Sequence, residues 1–370
     1  MQGASVWRHD GPVDAVLESL ASRFGDQGAR EFEGCPLYRQ LCLTVAADPR
    51  LLRIAAERRV GQQPTNLLFA AVQYLLFEDP ADELARWYVS IDGVKARPPE
   101  TVGAPFIAFC LRRRDALHEL VRTKLVQTNV VKRAAALRLG LAHIARRTDG
   151  PVTLIEIGAS AGVLLAFDRY RYQLAGRTYG NRDSPIEVSV DWRGGPDTLP
   201  DLDRLPTITD RVGIDLAPID PRDPVERRWL RALVWPGNEA EWALLEGTLN
   251  LLAGDPPRII AADAIDFLRR PQSPELGPDS PLVVFHAATR AHLPIERREA
   301  LDQAIHDLAR RRRVFWLSLE GTREPLAELT ATAAPVHLLQ LTDVDRDLEE
   351  TRRIAVFQQH ADWAMPSPAT

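Results

Sequence analysis

The stretch that decides the fold is Thr153-Leu154-Ile155-Glu156-Ile157-Gly158-Ala159-Ser160-Ala161-Gly162-Val163-Leu164. A short, continuous apolar run that ends in glycine is typical of a buried parallel strand. The run continues as E-x-G-x-x-x-G, in which small residues allow the backbone to come close to a ligand. We therefore expect a strand over 153–157, a tight turn, and a helix at about 164–172 on which Asp168 and Tyr172 share one face.

The alternation of strand and helix patterns continues towards the end of the chain. Apolar runs of strand length separated by segments with helical spacing predict a doubly wound α/β sheet of the Rossmann-like type. The expected strands lie at 153–157, 186–190, 211–215, 258–262, 282–285, 313–319, 336–341 and 353–357. The expected helices lie at 164–172, 224–234, 239–252, 264–270 and 295–311. Glycines and alternating residues predict an inserted hairpin at about 172–195.

The first part of the chain has a different periodicity. From about residue 12 to 147, apolar residues recur at the spacing of packed helices, as in Leu67-Leu68-Ala71-Val72-Leu75-Leu76. Glycine and proline at 61–64, 79–80 and 97–99 divide this region into several helices. We therefore expect a helical domain over 1–150 that covers a pocket, and an α/β domain over 151–370.

Composition narrows the function classes. The chain has 370 residues, 45% of them hydrophobic, and its formal net charge of −5 does not indicate binding to nucleic acid. No window approaches the roughly 18 apolar residues of a membrane span, and the first residues do not resemble a secretory signal, so we expect a cytoplasmic protein without a membrane partner. The three cysteines and eight histidines show no metal-binding spacing, and no metal is predicted.

Two acidic residues end strands that would be neighbours in such a sheet. Glu156 precedes the glycine turn, where an acid suits a cationic or hydroxyl-rich ligand better than a pyrophosphate. Asp215 ends the strand 211–215, where an acid typically accepts ribose hydroxyls. The two lie further apart in sequence than the ~20 residues of a plain unit, and the inserted hairpin accounts for the excess. The alternatives are a turn that serves packing alone and, for Asp215, a surface turn.

The turn resembles that of S-adenosylmethionine (SAM)-dependent methyltransferases, with Ser160 at the middle position that is usually glycine. Asp263-Ala264 follows a further apolar run, at the place where such folds contact the adenine amino group. Asp263 is alternatively the N-cap of the helix that begins at Ala264, and both roles can coexist. The predicted cofactor-binding residues are therefore Glu156, Gly158, Ser160, Gly162, Asp215, Asp263 and Ala264.

Three further residues are predicted to be catalytic. His286 ends the strand 282–285 at the carboxyl edge of the sheet and is expected to act as a general base near neutral pH. The alternative for His286 is a structural histidine. Gln127 and Asn129 belong to a run of short polar side chains within the helical region, and we expect them to form a cap that reaches the α/β domain and positions a substrate.

Taken in order, these segments resemble the DUF2332 proteins, an uncharacterised bacterial family common in actinobacteria, over most of the chain. The segments that carry the resemblance are Arg59-Val60-Gly61-x-x-Pro64-x-Asn66, Gln127-Thr128-Asn129, Glu156-Ile157-Gly158-Ala159-Ser160-Ala161-Gly162, Asp168-Arg169-Tyr170-x-Tyr172, Gly213-x-Asp215-x-x-Pro218-x-Asp220, Leu233-Val234-Trp235-Pro236, Asp263-Ala264 and His286. The resemblance implies a helical region joined to a methyltransferase-like α/β domain. The chain departs from the family pattern at Val130, Ala217 and Ala288-Thr289-Arg290. If these positions touch substrate, this member has a different substrate or has lost the ordinary reaction.

The leading interpretation is a SAM-dependent small-molecule methyltransferase whose substrate is held between the two domains, where alignment of the reactants supplies most of the rate. Two alternatives are kept, because a fold does not fix a function. One is an enzyme repurposed for a non-methylating reaction in specialised metabolism, such as intramolecular alkylation or cyclisation. The other is a non-catalytic partner subunit. The expected ligand is a small molecule, and both homo- and hetero-oligomers are left open.

Overall fold

The computed structural model describes residues 13–30, 32, 34–270, 280–322, 336–346 and 348–367. These residues form two compact units. The first unit contains the described residues up to Thr128 together with Val225–Trp242, and the second contains those of Asn129–Pro224 and those from Ala243 onward. Within the described ranges, no helix is both long and apolar enough to cross a membrane.

The first unit is helical. Its helices up to residue 128 are α1 (Val13–Arg30), α2 (Pro36–Ala46), α3 (Pro49–Ala56), α4 (Pro64–Glu78), α5 (Val89–Asp92), α6 (Gly103–Arg112) and α7 (Arg114–Thr123). Helix α4 begins with Pro64 in its first turn, where the missing N–H has no helical partner to lose. Phe69 in α4 is fully buried and contacts the rings of Phe24, Tyr38 and Phe106, so α4 forms the centre of this core.

The elements that follow residue 128 include both strands and helices. They are α8 (Ala134–Ile144), β1 (Val152–Ile157), β2 (Arg171–Leu174), β3 (Arg177–Gly180), β4 (Glu187–Ser189), β5 (Asp191–Trp192), β6 (Ile208–Asp215), α9 (Pro224–Leu233), α10 (Glu239–Gly254), β7 (Ile259–Ala261), α11 (Ala264–Arg269), β8 (Leu282–Ala287), α12 (Ile295–Ala309), β9 (Val314–Gly321), β10 (Val336–Asp345), β11 (Leu348–Gln358) and β12 (Trp363–Pro366).

A nine-stranded sheet has the order β5-β12-β11-β10-β9-β8-β1-β6-β7. Strands β7, β6, β1, β8 and β9 are parallel, whereas β10, β11 and β12 continue the sheet in antiparallel pairs. The α/β class predicted from the sequence is confirmed. The chain leaves β1 on one side to form β6 and β7 and later returns to form β8 on the other side. The carboxyl ends of β1 and β8 therefore flank a topological switch point, the usual place for a ligand in open α/β sheets.

The two faces of the sheet are covered by different helices. Ile155 and Ile157 of β1 pack in one apolar cluster with Phe267 of α11 and Ile305 of α12. Because side chains alternate along a strand, Glu156 points to the opposite face. In the register of the sheet it lies between Gly213 of β6 and Phe285 of β8.

The prediction of a helix at 164–172 is wrong. Turns follow the glycine turn, a single 3-10 turn covers Phe167–Arg169, and β2 begins at Arg171. The buried hydroxyls of Tyr170 and Tyr172 each donate to a carbonyl oxygen of this same segment at 2.5 Å, which folds the chain back on itself instead of winding it into a helix. The expected common helix face of Asp168 and Tyr172 therefore does not form. The inserted strands β2, β3 and β4 form a separate three-stranded sheet.

The two compact units divide the chain after Thr128, Pro224 and Trp242. The domain boundary expected at residue 150 stays a prediction. Helix α8 packs on β9 and β10 of the second unit. Within the first unit, Gln73 Nε2 donates to the carbonyl oxygens of Ala232 and Val234 at 3.0 and 2.8 Å. Trp229 Nε1 donates to Leu125 O at 2.9 Å. These bonds explain why the segment containing α9 belongs to the helical unit.

The contact between α8 and β9 gives the first prediction. A Cβ at Gly140 would lie 2.3 to 2.9 Å from side-chain atoms of the buried Leu317. We expect Gly140→Ala to lower the free energy of unfolding by about 1–2 kcal/mol, because overpacking outweighs the gain in helix propensity. The control is Gly254→Ala at the end of α10, where no atom lies within 4 Å of the added Cβ. Urea unfolding measures both variants, and an undiminished stability of Gly140→Ala would contradict this packing.

Candidate functional site

The turn after β1 has left-handed backbone at three of its five residues. Gly158, Ser160 and Gly162 have φ values of 77°, 51° and 74°. Glycine adopts such values freely, whereas other residues rarely do. A Cβ at Gly158 would lie 2.5 Å from Thr289 Oγ1, and a Cβ at Gly162 would lie 2.3 Å from Pro257 Cγ. Both glycines are therefore required by backbone conformation and by space.

Every backbone N–H of this turn donates to an acceptor within the protein. The five bonds are Gly158 N to Ile214 O (2.8 Å), Ala159 N to Ile214 O (3.3 Å), Ser160 N to Asp215 Oδ2 (2.8 Å), Ala161 N to Asn129 Oδ1 (3.4 Å) and Gly162 N to Ala159 O (2.7 Å). The bonds from Ala159 and Ala161 are long, and the other three have ordinary lengths. In this conformation the turn presents no N–H donor to a phosphate, the ligand that such turns usually hold.

Asp215 ties the end of β6 to this turn. Its Oδ2 accepts from Ser160 N and its Oδ1 accepts from Ala217 N, both at 2.8 Å. Strand β6 also packs closely on the turn, because a Cβ added at Gly213 would lie 2.6 Å from Ala159 Cβ. The acid that the sequence assigns to ribose binding therefore also closes the turn.

Asn129 lies against the same turn in the second unit. Its Nδ2 donates to Ser160 Oγ at 2.9 Å, and its Oδ1 is the acceptor for Ala161 N. The side chain is buried. Gln127, two residues earlier, is half-buried in an irregular segment of the first unit. Of the two polar residues predicted to be catalytic in this segment, the structure brings Asn129 to the turn.

Glu156 is almost completely buried, at 3% exposure, and its Oε2 has no hydrogen-bond partner among the described residues. Burial, together with the nearby Asp215 carboxylate, raises the pKa of Glu156 well above its ordinary value, against a lowering contribution from the backbone N–H of Leu165. Burial therefore favours the neutral form of Glu156, while Asp215 accepts N–H donors.

Asp263 caps α11, one of the two roles that the sequence leaves open for it. Its Oδ1 accepts from Ile265 N at 2.9 Å and from Asp266 N at 3.2 Å. Its Oδ2 pairs with Arg297. Ala264 is the first residue of the helix. Asp263 ends its strand at the same sheet edge as Asp215, since β6 and β7 are parallel neighbours.

His286 is fully buried, and both of its ring nitrogens have protein partners. Trp316 Nε1 donates to His286 Nε2 at 2.9 Å, and His286 Nδ1 lies 2.7 Å from Glu320 Oε1. An indole N–H can only donate, so Nε2 must be the acceptor and the proton must be on Nδ1. The nitrogen that a general base would use is therefore occupied in this structure, and the geometry corresponds to the structural alternative.

Glu320 at the end of β9 is a residue that sequence reasoning missed. Its Oε1 also accepts from Thr289 N and Arg290 N, both at 3.0 Å. Burial raises the pKa of this carboxyl, but the hydrogen bond and the electrostatic interaction with His286, together with the two backbone N–H groups, outweigh burial and lower the pKa below its ordinary value. The available signal was an acid at the end of an apolar strand, the same signal that pointed to Asp215.

The edge around the switch point is thus an arrangement of acceptors. Asp215 and Glu320 are carboxylates, and their backbone N–H partners belong to the loops after β1, β6 and β8. No group of three or more histidine, cysteine, aspartate or glutamate side chains suited to a metal ion is present in the described part of the chain. Hydroxyl donors and cations are the groups that complement such an edge.

The fold and the site define an α/β protein with a glycine turn and strand-end carboxylates at the switch point of a largely parallel sheet. The family profile of uncharacterised proteins conserved in bacteria, DUF2332, matches residues 21–365, and the chain belongs to this family. No curated protein matches the chain in sequence.

The buried Glu156 gives a pH-dependent prediction. Because its pKa is raised in the folded state, the stability that the protein has below the unfolded-state pKa of about 4.3 is lost progressively as the pH rises towards the folded-state value. Glu156→Gln, which cannot ionise, should therefore gain in melting temperature relative to the wild type as the pH is raised from about 4 to 8. Thermal unfolding across this range, with exposed Glu246→Gln as the control, measures the effect. A difference that does not change with pH would contradict the buried neutral carboxyl.

Proposed function

We propose that the second unit binds a small molecule at the carboxyl edge of β1, β6 and β8, and that the chain is a SAM-dependent small-molecule methyltransferase. The observation that carries the proposal is the pairing of the glycine turn with Asp215 at the switch point, joined by the 2.8 Å bond from Ser160 N to Asp215 Oδ2. Strand ends next to a switch point are where open α/β sheets hold their ligands.

The donors and acceptors of the edge favour SAM over a dinucleotide. A pyrophosphate needs N–H donors, and all five N–H groups of the turn are already used inside the protein. SAM carries a sulfonium, an ammonium group and ribose hydroxyls, all of which need acceptors or negative charge. The residues that would hold it are the backbone of Gly158, Ser160 and Gly162, the carboxylate of Asp215, and Asp263-Ala264. Glu156, buried near the end of β1, is kept as a cofactor-binding residue in this proposal.

In this proposal SAM supplies an electrophilic methyl group, and the chain supplies alignment. Asp215 and Asn129 fix the turn from two sides, which limits how the bound groups can move and raises the effective concentration of the reactants. His286 Nε2 already accepts a hydrogen bond from Trp316 Nε1. In this proposal His286 therefore helps to position the site. The substrate class, a small molecule in the cytoplasm, stays as the sequence predicts it.

The hydrogen bonds that close the turn favour a second candidate function. Asp215 accepts backbone N–H groups with both of its oxygens, so the turn is satisfied without any ligand. A methyltransferase-like unit that performs a non-methylating reaction in specialised metabolism, or that serves as a non-catalytic partner subunit, would have this property. The departures from the family pattern at Ala217 and Ala288-Thr289-Arg290 lie in the loops at this same edge.

Calorimetric titration and thermal shift with SAM, S-adenosylhomocysteine and NAD test the proposal. We expect heat and stabilisation with the first two compounds and neither with NAD. Asp215→Asn should weaken S-adenosylhomocysteine at least about tenfold, equivalent to about 1.4 kcal/mol. The control is Asp220→Asn, a half-buried residue of the same loop that pairs with Arg222.

The outcomes separate the two candidates. Binding of S-adenosylhomocysteine that is lost in Asp215→Asn and kept in Asp220→Asn supports the methyltransferase. Absence of binding to the folded wild type would overturn it. Copurification of one constitutive partner would then support the subunit, and a biosynthetic gene neighbourhood would support the repurposed enzyme.

A further inference from the structure

The loop after β8 is organised around a single carboxylate oxygen. Glu320 Oε1 receives the Nδ1–H of His286 and the backbone N–H groups of Thr289 and Arg290. Ala288, at the start of this loop, has a left-handed φ of 53°. That conformation is unfavourable for a residue with a Cβ, so the loop needs compensating contacts to hold it. Three N–H donors on one ionised oxygen supply them, because hydrogen bonds to charged groups are stronger than neutral ones.

The same oxygen also holds the ring of His286. Trp316 Nε1 donates to His286 Nε2, and the Nδ1–H on the other side of the ring donates to Glu320 Oε1. Trp316 packs edge-on against His306 at a centroid distance of 6.0 Å, and His306 pairs with Glu349 of β11. Glu320 is thus connected, through His286, Trp316 and His306, to Glu349 on β11.

The loop carries Thr289 to the switch point. Thr289 Oγ1 donates to the carbonyl oxygens of Ile157 and Ala287, at 3.2 and 3.3 Å. It is also the atom that a Cβ at Gly158 would meet at 2.5 Å. A ligand that approaches the backbone of Gly158 from this side must therefore meet Thr289.

We infer that Glu320 is the positioning residue of the carboxyl-edge site, which holds the loop of residues 288–290 in one conformation and thereby places Thr289 over Gly158. The loop-holding part of this inference stands on the contacts of Glu320 alone. Its consequence for ligand binding rests on the proposed function. A carboxylate is required because a neutral amide in its place would weaken all three bonds together.

Amide hydrogen exchange and nitrogen NMR of the full-length protein test the loop. In Glu320→Gln we expect Thr289 and Arg290 to lose at least about tenfold in protection, while the amides of β8 and β9 keep theirs. The His286 Nδ1–H proton resonance should move upfield in the variant, because its acceptor changes from an ionised to a neutral oxygen, while Trp316 keeps the Nδ1–H tautomer. The control is Glu246→Gln on α10, an exposed glutamate of the same unit.

Unchanged protection of Thr289 and Arg290 together with an unchanged Nδ1–H resonance would overturn the inference. If Glu320→Gln fails to fold, Thr289→Ala provides the second test: it removes the hydroxyl but not the N–H donors, so both amides should keep their protection. Loss of protection in Thr289→Ala would contradict the assignment of the loop-holding role to Glu320.

Ligand binding is then measured with S-adenosylhomocysteine as the probe. We expect Glu320→Gln to weaken it by about tenfold at a temperature where the variant is fully folded, and Glu246→Gln to leave it unchanged. If the wild type does not bind the probe, the proposed function fails, while exchange and NMR still decide the role of Glu320. If the wild type binds and Glu320→Gln binds equally well, the positioning role in ligand binding is refuted.

Discussion

The hydrogen bond between Ser160 N and the Asp215 carboxylate is the interaction on which the candidate site depends. It joins the turn after β1 to the end of β6, and the left-handed conformation of Ser160 directs the N–H towards β6. Close packing of Ala159 on Gly213 leaves this edge no room for a larger turn. Asn129 then fixes the opposite side of the same residue through Ser160 Oγ. Ser160 lacks the conformational freedom of a glycine, and defined hydrogen bonds hold its left-handed backbone in place.

A second carboxylate repeats this arrangement on the other side of the switch point. Glu320 accepts the N–H groups of the loop after β8, as Asp215 accepts those of the turn after β1 and the loop after β6. The N–H donors that a phosphate would use are consumed in both places. Hydroxyl donors and cations complement such carboxyl groups better than anions do.

The strands at 153–157 and 211–215 were predictable because each is a mainly apolar run bounded by a small or acidic residue, Gly158 or Asp215. The cap at Asp263 was predictable because capping depends on residues two and three positions away. The missing helix at 164–172 was not, because it depends on the buried hydroxyls of Tyr170 and Tyr172. Glu320 escaped notice for a different reason: its partners are some 30 residues away in sequence, and only the sheet brings them together.

The five backbone N–H groups of Gly158–Gly162 are satisfied inside the protein before any ligand binds. Amide-resolved hydrogen exchange of the ligand-free wild type measures this property. We expect all five amides to be protected, with Ser160 among the slowest of the turn because it donates to a buried carboxylate. Exchange at the rate of an open loop, or strong protection that arises only when a phosphate-containing ligand is added, would contradict it.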